Sequence, residues 1–152
     1  MNQQSGRSLI EVIGILAISA MMAAGAVTMY GMLRNRQIRT IAVSELEQIA
    51  KNTRLLMAPR GDYTGVSVDY LIKAGALANA NAPLGTDNWS VTATADGAAF
   101  SINLMGLSAG ECNFLVASKT AWASQMRVNG YETTVDDYCL STGDNQVSFI
   151  VE

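Results

Sequence analysis

Glu11 stands five residues after Gly6, at the threshold of a run from Val12 to Leu33 that carries no charge. The run is long enough to span a bilayer at about 1.5 Å per residue. A carboxylate at membrane depth costs roughly 2.5–3.5 kcal/mol at a helix centre and less near an end, so it is rarely kept without a partner. The other residues able to do chemistry are few. Cys112 and Cys139 are the only cysteines, and there is no histidine. Two cysteines alone do not build a structural zinc site, and the commonest general base and metal ligand is missing. Asp136, Asp137 and Asp144 lack the spacing of a calcium loop and read as solvated carboxylates. No nucleophile–base pair or phosphate loop is present. The expectation is therefore a protein that is not an enzyme and has no cofactor and no metal.

Charge is divided unevenly along the chain. Segment 34–60 carries Arg34, Arg36, Arg39, Lys51, Arg54 and Arg60 against Glu45 and Glu47. Segment 61–152 sets Lys73, Lys119 and Arg127 against ten acidic residues, a net charge of −7. That sign disfavours nucleic acid as a partner of the C-terminal region. A basic segment joined to an acidic one reads either as ordinary solvated surface or as complementary charge that sets register between copies.

Around these residues the sequence predicts one long helix from about Ser8 to Met57. It is apolar on all sides at first. It is then amphipathic, with Ile38, Ile41, Ala42, Leu46, Ile49, Thr53, Leu56 and Met57 at helical spacing, and it ends at Pro59 and Gly61. Small residues such as Gly14, Ala17, Ala20, Ala24 and Gly25 suit close helix packing or are ordinary membrane-helix composition. A short helix is expected over Val68–Lys73, then a loop from Asn79 to Asn88. Trp89–Thr94 and Ala99–Leu104 alternate and flank Asp96-Gly97, a hairpin pattern. Ser108 and Glu111 have capping-box spacing and open a helix predicted to carry Cys112, Leu115, Val116, Trp122, Ala123 and Met126 on one face. Asn129-Gly130 marks a turn, and Gln146–Val151 a last strand. Trp89 and Trp122 read as core. The expected fold class is α+β: an antiparallel sheet head backed by the long helix, with additional helices.

The segment Gly6, Arg7, Ser8, Leu9, Ile10, Glu11 and the apolar helix after it resemble the N-terminus of type IV prepilins and pseudopilins. Further softer correspondences run through Leu71–Leu77, Asn88-Trp89, Phe100-Ser-Ile, Gly106–Cys112, Val128-Asn-Gly130 and Cys139. The whole is similar to type IVb pilins, the group of toxin-coregulated, bundle-forming and conjugative thin-pilus pilins. Two departures stand: Arg7 takes the place of a usual apolar residue, and the six-residue leader is shorter than is usual in that group.

The resemblance implies a membrane prepilin peptidase that cuts between Gly6 and Arg7 and methylates the new terminus. Glu11 is then the assembly carboxylate, neutralising the terminal amine of a neighbouring subunit, with Arg7 a second cation in reach. The implied layout is a leader at 1–6, a hydrophobic membrane or filament-core helix at 7–33, the amphipathic half of that helix at 34–58, and a globular α+β head at 59–152. Its implied partners are other copies of itself in a helical polymer, the peptidase, the inner-membrane pilus assembly machinery, and the membrane before assembly. The implied location is the inner membrane for the subunit and an extracellular pilus once assembled. In an exported head Cys112 and Cys139 would form a disulfide; in a cytosolic chain they would be free and buried. Arginines just after the apolar run favour a cytoplasmic C-terminal side, against the pilin-like reading. A minor pilin or pseudopilin fits the same features. Ala24-Gly-Ala26 also matches an ordinary signal-peptide site, which would release a secreted domain beginning at Val27.

Overall fold

The computed structural model describes residues 9–118, 120–132 and 138–152. The chain divides into two compact units, Met1–Ile38 and Arg39–Glu152. Helix α1 runs from Leu9 to Met57 and passes through the boundary between them. Within the first unit every residue from 9 to 38 is exposed, as an all-round apolar helix must be when only its own chain surrounds it. Ser19 Oγ donates to the Ile15 carbonyl at 2.9 Å and Thr28 Oγ1 to that of Ala24 at 3.1 Å. These hydroxyls are thus satisfied inside the helix, as a spanning segment requires.

In the second unit α1 buries Ala42, Leu46, Ile49, Ala50, Thr53 and Met57. This stripe is narrower than the sequence predicts. Ile38 and Ile41 are exposed, because Ile41 lies one residue, about 100° of helix, off the line through Ala42 and Leu46. Ala50 joins the buried set instead. Thr53 is tolerated there because its hydroxyl donates to the Ile49 carbonyl at 2.7 Å. Helix α1 ends in a turn of 3₁₀-helix, Ala58–Arg60, and Gly61 in the left-handed region.

Helix α2, Val68–Lys73, is capped by Ser67, whose hydroxyl accepts from the Tyr70 N–H. Strands β1 (Trp89–Ala93) and β2 (Phe100–Leu107) form the expected hairpin. Helix α3, Ala109–Ala117, opens with the Ser108/Glu111 capping box. Strands β3 (Gln125–Val128), β4 (Tyr131–Glu132) and β5 (Asn145–Val151) complete a five-stranded antiparallel sheet in the order β1-β2-β5-β3-β4. The last strand therefore lies in the middle of the sheet. The fold is a long N-terminal helix with an antiparallel sheet, additional helices and one disulfide.

The helix predicted to reach Met126 is a correction. Helix α3 stops at Ala117: Ser118 leaves helical geometry, and its hydroxyl donates back to the Phe114 carbonyl at 2.8 Å. Trp122 sits in the following turn, and Met126 belongs to β3. Trp122 still packs on the core, its ring 5.1 Å from that of Phe149. That Trp122 packs on the core agrees with the sequence reading; its partner Phe149 and the turn that delivers it do not follow from that reading.

One contiguous core joins the α1 stripe to Leu71, to Leu115 of α3 and to one face of the sheet, including Phe100, Ile102, Val147 and Phe149. On β2 the buried positions run Phe100, Ile102, Leu104 and then Leu107, a step of three. A bulge between Leu104 and Leu107 absorbs the extra residue. Gly106 permits it, with φ +66° and no room for a Cβ against Thr86. The opposite face carries short uncharged polar residues. Asn103 Nδ2 lies 3.2 Å from the hydroxyls of Ser90, Thr92 and Ser101.

Candidate functional site

The residues singled out in the sequence fall in two places. Gly6 and Arg7 lie outside the described residues. Glu11 occupies the first turn of α1. From that turn the helix presents Leu9, Ile13, Leu16, Met21, Met22, Val27 and Met29, all exposed. Leu9–Arg60 is the one stretch, among the described residues, long and apolar enough to cross a membrane; its most apolar window has a mean hydropathy of 2.1 and is wholly unburied.

The second place is the disulfide between Cys112 of α3 and Cys139, Cα atoms 5.9 Å apart. Cys112 is fully buried, and Cys139 packs against the same core. The bond ties α3 to the segment that leads into β5. Asn145, which the sequence reading passes over, and Asn129, which it reads only as a turn residue, hold that segment as well. Asn145, fully buried at the start of β5, accepts from the Leu140 N–H at 2.6 Å and from Asn129 Nδ2 at 3.0 Å. Its own Nδ2 donates to the carbonyls of Leu140 at 3.0 Å and Leu107 at 3.3 Å. Asn129 donates to the Tyr138 carbonyl at 2.7 Å and accepts from the Gln146 N–H at 2.9 Å. Every polar atom of Asn145 is engaged, as burial demands. Asn129 and Gly130, at φ +50° and +87°, form the two-residue turn that joins β3 to β4. Asn129 looked like a turn residue alone in the sequence. Its second role depends on two segments further along the chain, at Tyr138 and at Asn145–Gln146.

Three of the basic residues between positions 34 and 60 engage the head. The Arg39 guanidinium lies 5.7 Å from the Phe114 ring centre, and that of Arg60 5.9 Å from the Tyr70 ring centre. Arg54 Nε donates to the Glu152 main-chain oxygen at 2.8 Å. Among the described residues one ion pair forms, an exposed contact of 3.7 Å between Arg127 and Glu132. At the hairpin turn, the Thr94 hydroxyl and then the Ala98 N–H donate to Asp96 and hold its carboxyl below the usual value of 3.8. Asp136 and Asp137 lie outside the described residues, and Asp144 sits in a tight loop at φ +59°. No group of three or more histidine, cysteine or acidic side chains placed to hold a metal occurs among the described residues.

No family model matches this chain, and no curated protein matches it.

Proposed function

We propose that the chain is a pilin: a structural subunit that polymerises into a type IVb-like pilus for adhesion, aggregation or mating contact. The observation that carries this reading is α1. From Val12 to Leu33 it carries no charge and is exposed on all sides, yet the same helix runs on into residues packed in the head's core. Exposed apolar surface on this scale needs a cover. Lipid covers it in the unassembled subunit, and the same helices of neighbouring copies cover it in the filament. The small residues of the run allow that close approach. Glu11 is the anion at the start of the bundle. In this reading prepilin peptidase cuts before Arg7, the inner membrane holds the subunit, and the assembly machinery there extracts it.

Glu11→Ala tests the reading. The head should fold and the protein should insert, while filament number falls at least tenfold, because an unpaired terminal ammonium in an apolar bundle costs several kcal/mol. Electron microscopy of shed and surface filaments, with the mass and N-terminal sequence of the mature chain, decides it. A mature chain beginning at Val27 would establish ordinary secretion instead. A chain cut before Arg7 but scarce in purified filaments would identify a minor pilin or pseudopilin.

A further inference from the structure

The loop that follows α2 leaves a groove of about 420 Å³ against the polar flank of α1. That volume lies in the range of small-molecule sites, ~300–1,000 Å³. Helix α1 contributes Glu45, Gln48 and Asn52 from successive turns, the loop contributes Asn79 and Asn81, and Ile49 and Leu77 supply apolar surface. Two of the four carboxamides are oriented by bonds they already make. Asn52 Nδ2 donates to the Ala76 carbonyl at 3.2 Å, and Asn79 Oδ1 accepts from the Asn81 N–H at 3.0 Å. The loop itself is pinned by the Trp89 indole, which donates to the Ala80 carbonyl at 2.8 Å. Such prior ordering lowers the entropy lost on binding.

The unused hydrogen-bonding capacity defines the ligand. Asn52 keeps one N–H and its oxygen, Asn79 keeps its NH₂ group, and the side chains of Gln48 and Glu45 take no intramolecular partner among the described residues. A carboxamide offers a donor beside an acceptor, which matches two adjacent hydroxyls that each donate and accept. The one carboxylate accepts hydrogen bonds from hydroxyls and repels anions, and the net charge of −7 over segment 61–152 acts in the same sense. Ile49 and Leu77 suit the C–H face of a ring. We propose that this groove binds a neutral saccharide of one or two rings. The site lies wholly within the Arg39–Glu152 unit, so it stands or falls independently of polymerisation.

The test uses the full chain in a zwitterionic detergent that has no sugar headgroup, with ¹⁵N side-chain amides observed by NMR. Cellobiose, lactose and chitobiose are the probes, and sialyllactose is the anionic control. At least one neutral disaccharide should shift the amide signals of Gln48, Asn52, Asn79 and Asn81 saturably, and sialyllactose should not. Gln48→Ala and Glu45→Ala alter only exposed helix positions, so the melting temperature should hold while each weakens binding by about tenfold, one hydrogen bond's share. Absence of saturable shifts with all three neutral probes would overturn the proposal. So would equal shifts with sialyllactose, or affinities untouched by both variants. Shifts produced only by a peptide of residues 34–60 would make the groove a contact between copies and would likewise overturn it.

Discussion

Asn145 ties the segment leading into β5 to the end of β2 and to the β3–β4 turn. Its amide holds the backbone of Leu140 by both N–H and carbonyl, and reaches the Leu107 carbonyl at the end of β2. Asn145→Ala would leave the buried Leu107 carbonyl and the part-buried Leu140 groups without their partner, and the loss is expected to be about 2 kcal/mol. Urea unfolding of the detergent-solubilised chain, followed by tryptophan fluorescence, measures it. Asn145→Asp is a sharper variant, because it keeps the acceptor and loses the donor to two carbonyls. Asp96 makes a smaller, pH-dependent contribution. Its folded pKa is lowered, so the stabilisation of the turn is fully present above the unfolded value of 3.8 and is lost as pH falls through the lower folded value. The Ala98 amide resonance should therefore titrate with a midpoint below 3.8, and Asp96→Asn should abolish that titration. A midpoint at or above 3.8 would show that the Thr94 hydroxyl does not hold the carboxylate.

At the scale of elements, α1 serves two environments with one helical period. Its later turns are ordered by the head through the stripe Ala42, Leu46, Ile49, Ala50, Thr53 and Met57. Leu46→Ala should cost the head about 2–5 kcal/mol, as a large-to-small change at a fully buried site does. Ile41→Ala, one residue from the stripe, should change head stability by less than about 0.5 kcal/mol. If Ile41 instead contacts neighbouring copies, its loss will appear in filament yield alone. If the chain polymerises as proposed, paired urea curves and filament counts for the two variants separate intrachain packing from assembly.

Across the whole molecule, the disulfide links elements that sequence places 27 residues apart. Closing a loop of that length stabilises by about 3–4 kcal/mol in the chain-entropy model. Cys139→Ser should lower head stability by that order and raise protease sensitivity. The Asn129–Asn145 clasp grips the same segment, so combining Cys139→Ser with Asn145→Ala should depart from additivity, because both act on the placement of Tyr138–Leu140. A strictly additive double variant would show that the clasp and the bond work independently.

Much of this fold was legible because its signals are local. A helix with two hydrophobic regimes, the Ser108 capping box, the Asp96-Gly97 hairpin and the Asn129-Gly130 turn all depend on residues within a few positions of one another. Glu11 was conspicuous beside an apolar run, whereas Gly6 and Arg7 were named from the family resemblance and lie outside the described residues. What only the tertiary structure decided is non-local. The C-terminal strand lies between β2 and β3, and the step from Leu104 to Leu107 requires a bulge. Trp122 reaches the core from a turn, and Ile41 is left outside the stripe. The same holds for the two asparagines that clasp the disulfide segment and for the amide-lined groove. Each depends on which surfaces meet after the chain has closed long loops, and sequence periodicity holds no term for that. An exposed asparagine in a loop and a buried one at the centre of four hydrogen bonds are the same letter. Packing alone makes them different residues.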